Sequence, residues 1–282
     1  MAPSKSSGFR VACIQMSVVN DKAKNLAVAV TRIEQAKQNG CTLAILPECF
    51  NGLYEIDLFR KNAEVIPSGE TCKALSQAAK SNQIYVVGGS IPELYNDKVY
   101  NTCTVWDPNG KLIATHRKVH LFEVNIPGKT CYREVNGMTP GNTLNTFQLD
   151  RFKVGLGICH DIRFPEMAEL YRKQECDMLI YPGNFCMNLG PLHWSLLTRS
   201  RALDTQTFVA FVSSARVPHP TYITYGHSQI ANPWGEVIGE ADEKDTDLYV
   251  DLDFSVRENM RQQVPTEKQK RNDIYDVILK KN

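Results

Sequence analysis

The feature that most constrains the fold is an order of patterns that runs along the chain twice. Residues 10–16 form a short apolar run that reads as a buried strand. Asn20-Asp21 is a helix N-cap signal, Leu26, Val30, Ile33 and Ala36 follow at helical spacing, and Gly40 supplies a stop. Residues 42–46 read as a second strand, about 70–82 as a polar helix, and 84–87 as a third strand closed by the tight-turn signal Gly88-Gly89-Ser90. Strands over 100–106 and 111–115 flank Asp107-Pro108-Asn109-Gly110, a hairpin turn. The second half repeats this order. It reads as a strand over 152–158, a helix from Pro165 to about Lys173, a strand over 177–181, a helix from about Pro191 to Thr205, and a strand over 208–212. A hairpin of 227–231 and 237–241 then turns at Pro233-Trp234-Gly235.

Buried strands alternating with helices imply α/β layering, and the hairpins make the sheets mixed. Two such halves pack most simply sheet to sheet with helices outside, as a four-layer α-β-β-α sandwich. No low-complexity linker divides them, so residues 1–282 are expected to form a single domain. A flexible tail is expected over 1–9. A solvated tail is expected from about 267 to 282, carrying Lys268, Lys270, Arg271, Lys280 and Lys281.

Composition narrows the partners. Lys+Arg total 32 against 31 Asp+Glu, a formal net charge of +1, which argues against bulk nucleic-acid binding. No run approaches the roughly 18 apolar residues of a membrane span, and residues 1–8 lack the apolar segment of a secretory signal. The nine cysteines are odd in number and irregularly spaced, with no C-x-x-C, which argues against a disulfide framework or a thiolate zinc site. A reducing, cytoplasmic location fits best, with a mitochondrial pool left open. Most of these cysteines are expected to be inert packing.

Three ionisable residues stand just past apolar strands, where α/β folds place ligands. Glu48 follows Leu43-Ala-Ile-Leu-Pro47, Cys159 follows Val154-Gly-Leu-Gly-Ile158, and Lys118 follows the strand over 111–115. A carboxylate to take a thiol proton, a thiol to attack a carbonyl and an ammonium to steady the oxyanion make an acyl-transfer unit. Spacing alone does not bring the three together, and each has a plain structural alternative. Other active-site patterns are absent: there is no G-x-S-x-G and no G-x-x-x-x-G-K-[ST]. His116 and His120, though four apart, do not sit in H-E-x-x-H.

The segment Val154-Gly-Leu-Gly-Ile-Cys-His-Asp-Ile-Arg-Phe-Pro-Glu166 resembles the nucleophile motif of the nitrilase superfamily of carbon–nitrogen hydrolases. Leu46-Pro-Glu-Cys-Phe50 is similar to its glutamate motif and His116-Arg-Lys-Val-His-Leu-Phe122 to its lysine motif, in the family's order. The resemblance implies the same fold, two mixed sheets flanked by helices. It implies Glu48 as general base, Lys118 as oxyanion support, Cys159 as nucleophile and the His160 backbone N–H as second oxyanion donor. It also implies Glu134 as an orienting carboxylate, a homodimer or larger homo-oligomer, and no metal or cofactor. Within the superfamily the chain resembles the Nit branch, and inside it the omega-amidases, through residues 120–129 and Asn232-Pro-Trp-Gly-Glu236. Those enzymes hydrolyse the terminal amide of 2-oxoglutaramate and 2-oxosuccinamate. Such substrates carry a remote carboxylate, for which Arg163, Arg199, Arg201 and Arg216 are candidates. An ion pair with Asp161 is the more ordinary role for Arg163. Phe185 and Cys186 are further candidates for the pocket.

The chain departs from the branch at His160, usually Tyr; at Asn184-Phe-Cys186, usually Ala-Phe-Asn; and at Thr205, usually Asn. These departures bear on the acyl group rather than on hydrolysis. A deaminated-glutathione amidase, a carbamoylase and a true nitrilase stand as alternatives, with a non-catalytic metabolite-binding homologue behind them. Adjacent residues on an extended chain point apart, so the His160 side chain is not expected to reach Cys159.

Overall fold

The computed structural model describes residues 8–219 and 222–280. The expected tail over residues 1–7, together with Lys281, lies outside the described residues. Gly8 and Phe9 do not belong to a tail: they begin the first strand, and the Phe9 ring packs on Phe152 and Phe254.

The first half runs β1 (Gly8–Gln15), α1 (Lys22–Gln38), β2 (Leu43–Ile45), α2 (Ile56–Asn62), α3 (Glu70–Asn82), β3 (Tyr85–Val87), β4 (Ile91–Tyr95), β5 (Lys98–Trp106) and β6 (Leu112–Arg117). A small hairpin, β7 (Glu123–Asn125) and β8 (Cys131–Arg133), leads across. The second half runs β9 (Asn145–Leu149), β10 (Phe152–Leu156), α4 (Pro165–Lys173), β11 (Met178–Pro182), α5 (Gly190–Thr205), β12 (Phe208–Val212), β13 (Gln229–Ala231) and β14 (Val237–Glu240). The chain closes with β15 (Thr246–Asp253), α6 (Ser255–Gln263) and α7 (Thr266–Gln269).

Local chemistry fixes several boundaries. Asp21 caps α1 by accepting from the Lys24 N–H at 3.1 Å, and Gly40 leaves the helix at φ +76°. Asp107 Oδ1 accepts from the N–H groups of Asn109 and Lys111, both at 2.9 Å, and so ties the turn between β5 and β6.

The first sheet has seven strands, in the order β15-β1-β2-β3-β5-β4, with β6 also paired to β5. The second has six, in the order β14-β13-β12-β11-β10-β9. In each, three neighbours are parallel (β1, β2 and β3; β10, β11 and β12) and the flanking strands are antiparallel. Both sheets are therefore mixed, as the doubled order predicts. Along β1, Val11 and Cys13 join the core between the sheets, while Ala12 and Ile14 pack with Leu26, Ala29 and Ile33 of α1. Strands apolar on both faces are what burial between two layers demands. The layering is α-β-β-α.

The C-terminal segment is not simply solvated. Lys270 pairs with Glu169 of α4, Lys173 of α4 pairs with Asp276, and Leu279 lies in a groove with Val119, Phe164, Met167 and Leu170. Its own basic residues and apolar side chains strap it to α4.

Candidate active site

Glu48 sits beyond the C-terminal end of β2. Its turn is braced by the Gly88-Gly89-Ser90 segment: the Ser90 N–H donates to Pro47 O at 3.2 Å, and the Cys49 N–H donates to Ser90 Oγ at 3.0 Å. Gly89 adopts φ +53°, and a Cβ there would stand 2.0 Å from Pro47 O, so only glycine fits. The tight turn thus supports the site.

Lys118 follows β6, with its N–H donating to Asn101 O at 2.8 Å. Its ammonium is fully buried and donates to Glu48 Oε1 at 2.8 Å, while Glu134 Oε2 stands 2.8 Å away. Glu134 arrives on a helical turn, Glu134–Asn136, and its Oε2 accepts from the Phe122 N–H at 2.7 Å. Asn101 Nδ2 donates to Glu48 Oε1 at 2.8 Å and to Glu134 Oε1 at 3.1 Å. The Asn184 N–H meets Glu48 Oε2 at 2.9 Å. Burial opposes the Lys118 charge, but Glu134 and Glu48 outweigh it and hold the ammonium well above its ordinary range. Burial, together with the Glu134 charge, raises the Glu48 carboxyl against the pull of Lys118.

Cys159 opens a tight helical turn, Cys159–Arg163, at the end of β10. Its φ of +50° is left-handed, a strained state for a residue with a Cβ. Gly183 allows the close approach behind it: a Cβ there would lie 3.1 Å from the Cys159 Cα. The thiol is buried and within hydrogen-bond reach of Glu48. Burial and then the Glu48 charge hold it well above its ordinary range, with Lys118 opposing. A thiol that resists ionisation thus stands beside a buried carboxyl group.

Two residues that sequence reasoning missed organise this cluster. One is Asn101, whose signal was an amide within a strand of otherwise β-favouring residues, Tyr100 to Trp106. The other is Asp161, fully buried. Its Oδ2 accepts from the Ile158 N–H at 2.9 Å and lies 3.3 Å from His116 Nε2. Its Oδ1 accepts from the His120 N–H at 2.9 Å and lies 2.7 Å from His120 Nδ1. His116 and His120 stand two residues either side of Lys118, so Asp161 clamps the lysine loop to the Cys159 turn. The expected Arg163–Asp161 pair does not form. In a turn of about three residues, positions i and i+2 face different ways, and the two histidines take the carboxylate.

Arg163 instead lies with its Cζ 4.7 Å from the Phe185 ring centroid and its Nη1 3.2 Å from His193 Nδ1, while its buried Nη2 has no hydrogen-bond partner. The other arginine candidates are engaged elsewhere. Arg199 is exposed and donates to Gly235 O at 2.8 Å. Arg201 donates to Ile162 O and Arg163 O, bracing the nucleophile turn from behind. Arg216 donates to Tyr225 O at 2.8 Å. The His160 ring turns toward Phe122 and Phe164, with centroids 5.3 and 5.6 Å away. The backbone there is a helical turn, not the extended chain expected. Cys186 is buried among Cys49, Tyr54, Phe122 and Tyr222. The Lys118 ammonium lies 5.8 Å from the Tyr54 ring centroid, Tyr54 stacks on Tyr132 and lies tilted against Tyr222, and Tyr222 donates to Asn184 O at 2.5 Å. Thr205 stands at the end of α5, donating to Arg201 O at 2.6 Å.

The chain matches the carbon–nitrogen hydrolase family over residues 10–262. It is 47% identical to omega-amidase NIT2 of Danio rerio over 96% of this chain and 98% of that protein. It is 44% identical to omega-amidase NIT2 of Homo sapiens over 98% and 99%. The crystal structure of Saccharomyces cerevisiae Nit3, a member of branch 10 of the nitrilase superfamily, superposes with a TM-score of 0.86 at 41% identity, covering 95% of this chain and 99% of that one.

Proposed function

The chain belongs to the carbon–nitrogen hydrolases of the nitrilase superfamily, and from that premise we propose how its buried cluster works as an omega-amidase on short dicarboxylic monoamides. The chain is an amidase, and its substrate is a small molecule. As the Cys159 sulfur attacks the amide carbon, its proton passes to Glu48. The oxyanion is held by Lys118 and the His160 N–H, the second residue of a turn whose first N–H groups lack partners within it. Glu48 returns the proton to the leaving nitrogen and ammonia departs, leaving a thioester. Water then gives a proton to Glu48 and attacks the thioester carbon. The sulfur leaves, recovers that proton and frees the dicarboxylate. Glu134 orients Lys118 throughout.

The observation that carries this reading is the contact of the Lys118 ammonium with Glu48 at 2.8 Å beside a buried thiol. The aromatic wall of Tyr54, Phe122, Tyr132 and Tyr222 favours a short acyl group over the bulkier deaminated glutathione. The test is ammonia release from succinamate and 2-oxosuccinamate, set beside the Cys159→Ala variant. Release by the native protein alone is expected. Undiminished release by the variant would sink the mechanism.

We also propose a homodimer, in a reducing, cytoplasmic compartment. Leu192 and Leu196 on α5 are 68% and 63% exposed, and Leu203, Ile274 and Tyr275 extend the apolar surface toward α4. All nine cysteines are free thiols, eight of them buried. Light scattering at micromolar concentration tests the dimer, and a monomer mass removes it.

A further inference from the structure

Asn184 stands just past the end of β11, where the Nit branch usually has Ala, and the acyl-transfer steps above do not use its side chain. It is 3% exposed and joins three separate segments. Its Nδ2 donates to the main-chain oxygen of Glu48 at 2.8 Å. Its Oδ1 accepts from the Ser214 N–H at 3.1 Å and from Ser214 Oγ at 2.7 Å, just past β12. Its own main-chain oxygen accepts from the Tyr222 hydroxyl at 2.5 Å. A backbone acceptor on one side and a backbone donor on the other allow the amide one orientation only. An alanine reaches neither, and would deprive the buried Ser214 N–H and the Glu48 carbonyl of these bonds.

What these anchors hold still is the Asn184 N–H. It donates to Glu48 Oε2 at 2.9 Å. Gly183, the residue before it, passes so close to the nucleophile that a Cβ there would lie 3.1 Å from the Cys159 Cα. The same N–H also faces the Cys159 sulfur, where it works against the rise that burial imposes on that thiol. One donor is thus shared by the two groups between which the proton moves. Before the transfer the negative charge is on Glu48. As it proceeds, the S–H bond breaks, an O–H bond forms on the carboxyl, and the charge passes to the sulfur that attacks carbon. A donor fixed between the two groups serves whichever is charged and needs no reorganisation as the charge moves. We propose that Asn184 is a positioning residue of the reaction: its side-chain amide ties the Glu48 carbonyl to Ser214 and so fixes its own N–H between the Glu48 carboxylate and the Cys159 sulfur. This rests on the amidase reading and adds to it a residue that acts on the first proton transfer.

The test reads the thiol without any amide. Iodoacetamide alkylates Cys159 as the thiol proton passes to Glu48: a C–S bond forms and iodide leaves. Mass spectrometry of the Cys159 peptide separates this label from those on the other eight cysteines. Asn184→Ala is expected to slow the labelling of Cys159 about tenfold at neutral pH, and to lower kcat on succinamate by a similar factor with KM little changed. Asn184→Asp keeps the shape but turns an acceptor toward the Glu48 carbonyl, and should fall at least as far. Ser214→Ala removes the hydroxyl and keeps the Ser214 N–H, so it should slow labelling about threefold, and it serves if the Asn184 variants do not fold. The double variant Asn184→Ala/Ser214→Ala should be no slower than Asn184→Ala, because both changes break one tie. Labelling at the native rate in the Asn184 variants, or in Ser214→Ala where they do not fold, would overturn the proposal. So would losses that multiply in the double variant, or a native Cys159 that takes no label. Slowed labelling in a protein that hydrolyses no succinamate would uphold the tie and remove the amidase reading alone.

Discussion

The two halves of the sandwich bring opposite kinds of polar chemistry to the same place. The first half and the crossing hairpin supply Glu48, Lys118 and Glu134, all fully buried, and every carboxylate oxygen among them meets a donor. The second half supplies the Cys159 turn, on which His160 and Arg163 each keep a buried polar atom unmet. Carboxylates with every oxygen met hold their geometry before any substrate arrives, which is what electrostatic preorganisation requires. The carboxylates and the ammonium thus come from one half and the thiol from the other.

The largest effect should come from breaking the self-satisfied side. Glu48→Gln keeps an acceptor for Lys118 and Asn101 but cannot take the thiol proton, so kcat should fall about 1,000-fold while circular dichroism stays native. A variant within tenfold of the native rate would remove Glu48 as base. The native pH profile sharpens the same point. Burial raises Glu48, so the acid limb of kcat/KM should lie above the usual glutamate value of about 4.3. Activity should fall below that limb as Glu48 protonates. Because the Cys159 thiol is also raised, no gain in rate should follow thiol ionisation near about pH 8.5.

Next comes Glu134→Gln, expected to lower kcat about 10- to 100-fold by loosening Lys118. Glu134 raises Lys118, so its neutralisation lowers the lysine and moves the alkaline fall in rate toward neutrality. A loss in kcat with an unmoved alkaline limb would leave Glu134 a packing residue.

The legible part of this division was the repeated order. Each parallel strand is buried on both faces, and its apolar run stands out between helix signals. The crossing hairpin was not legible, because β7 and β8 are three residues each, too short to show a pattern. β15 has clean alternation at Leu248, Val250 and Leu252, but its partner β1 lies at the other end of the chain, and no local signal specifies so distant a pairing. The residues of the trio could be picked out singly from their strand ends. Their convergence depends on how one sheet packs on the other, which spacing does not encode. The expected Arg163–Asp161 pair failed for a local reason, the pitch of the turn, and that failure leaves the arginine unneutralised.

Asp161 joins the two regions, and its loss should give the smallest effect of the series. Asp161→Asn keeps the shape and one acceptor, so the Ile158 and His120 N–H groups retain part of their bonding. The expected fall in kcat is about tenfold, with KM little changed, and the loss of stability at pH 7 is about 1–3 kcal/mol. Although burial works against the Asp161 charge, its bonds to His116 and His120 hold the carboxyl below the ordinary carboxylate range. A depressed folded-state value contributes stability that is present above the unfolded value of about 3.9 and drains away as pH falls toward the folded one. Native stability should therefore decline more steeply below about pH 4 than that of the asparagine variant, and urea titrations at pH 7 and pH 3 measure the difference. Parallel decline in the two proteins would mean that the carboxylate charge does not tie the lysine loop to the nucleophile turn. The two halves would then be held in register by apolar packing between the sheets and by contacts such as that of the Asn184 N–H with Glu48.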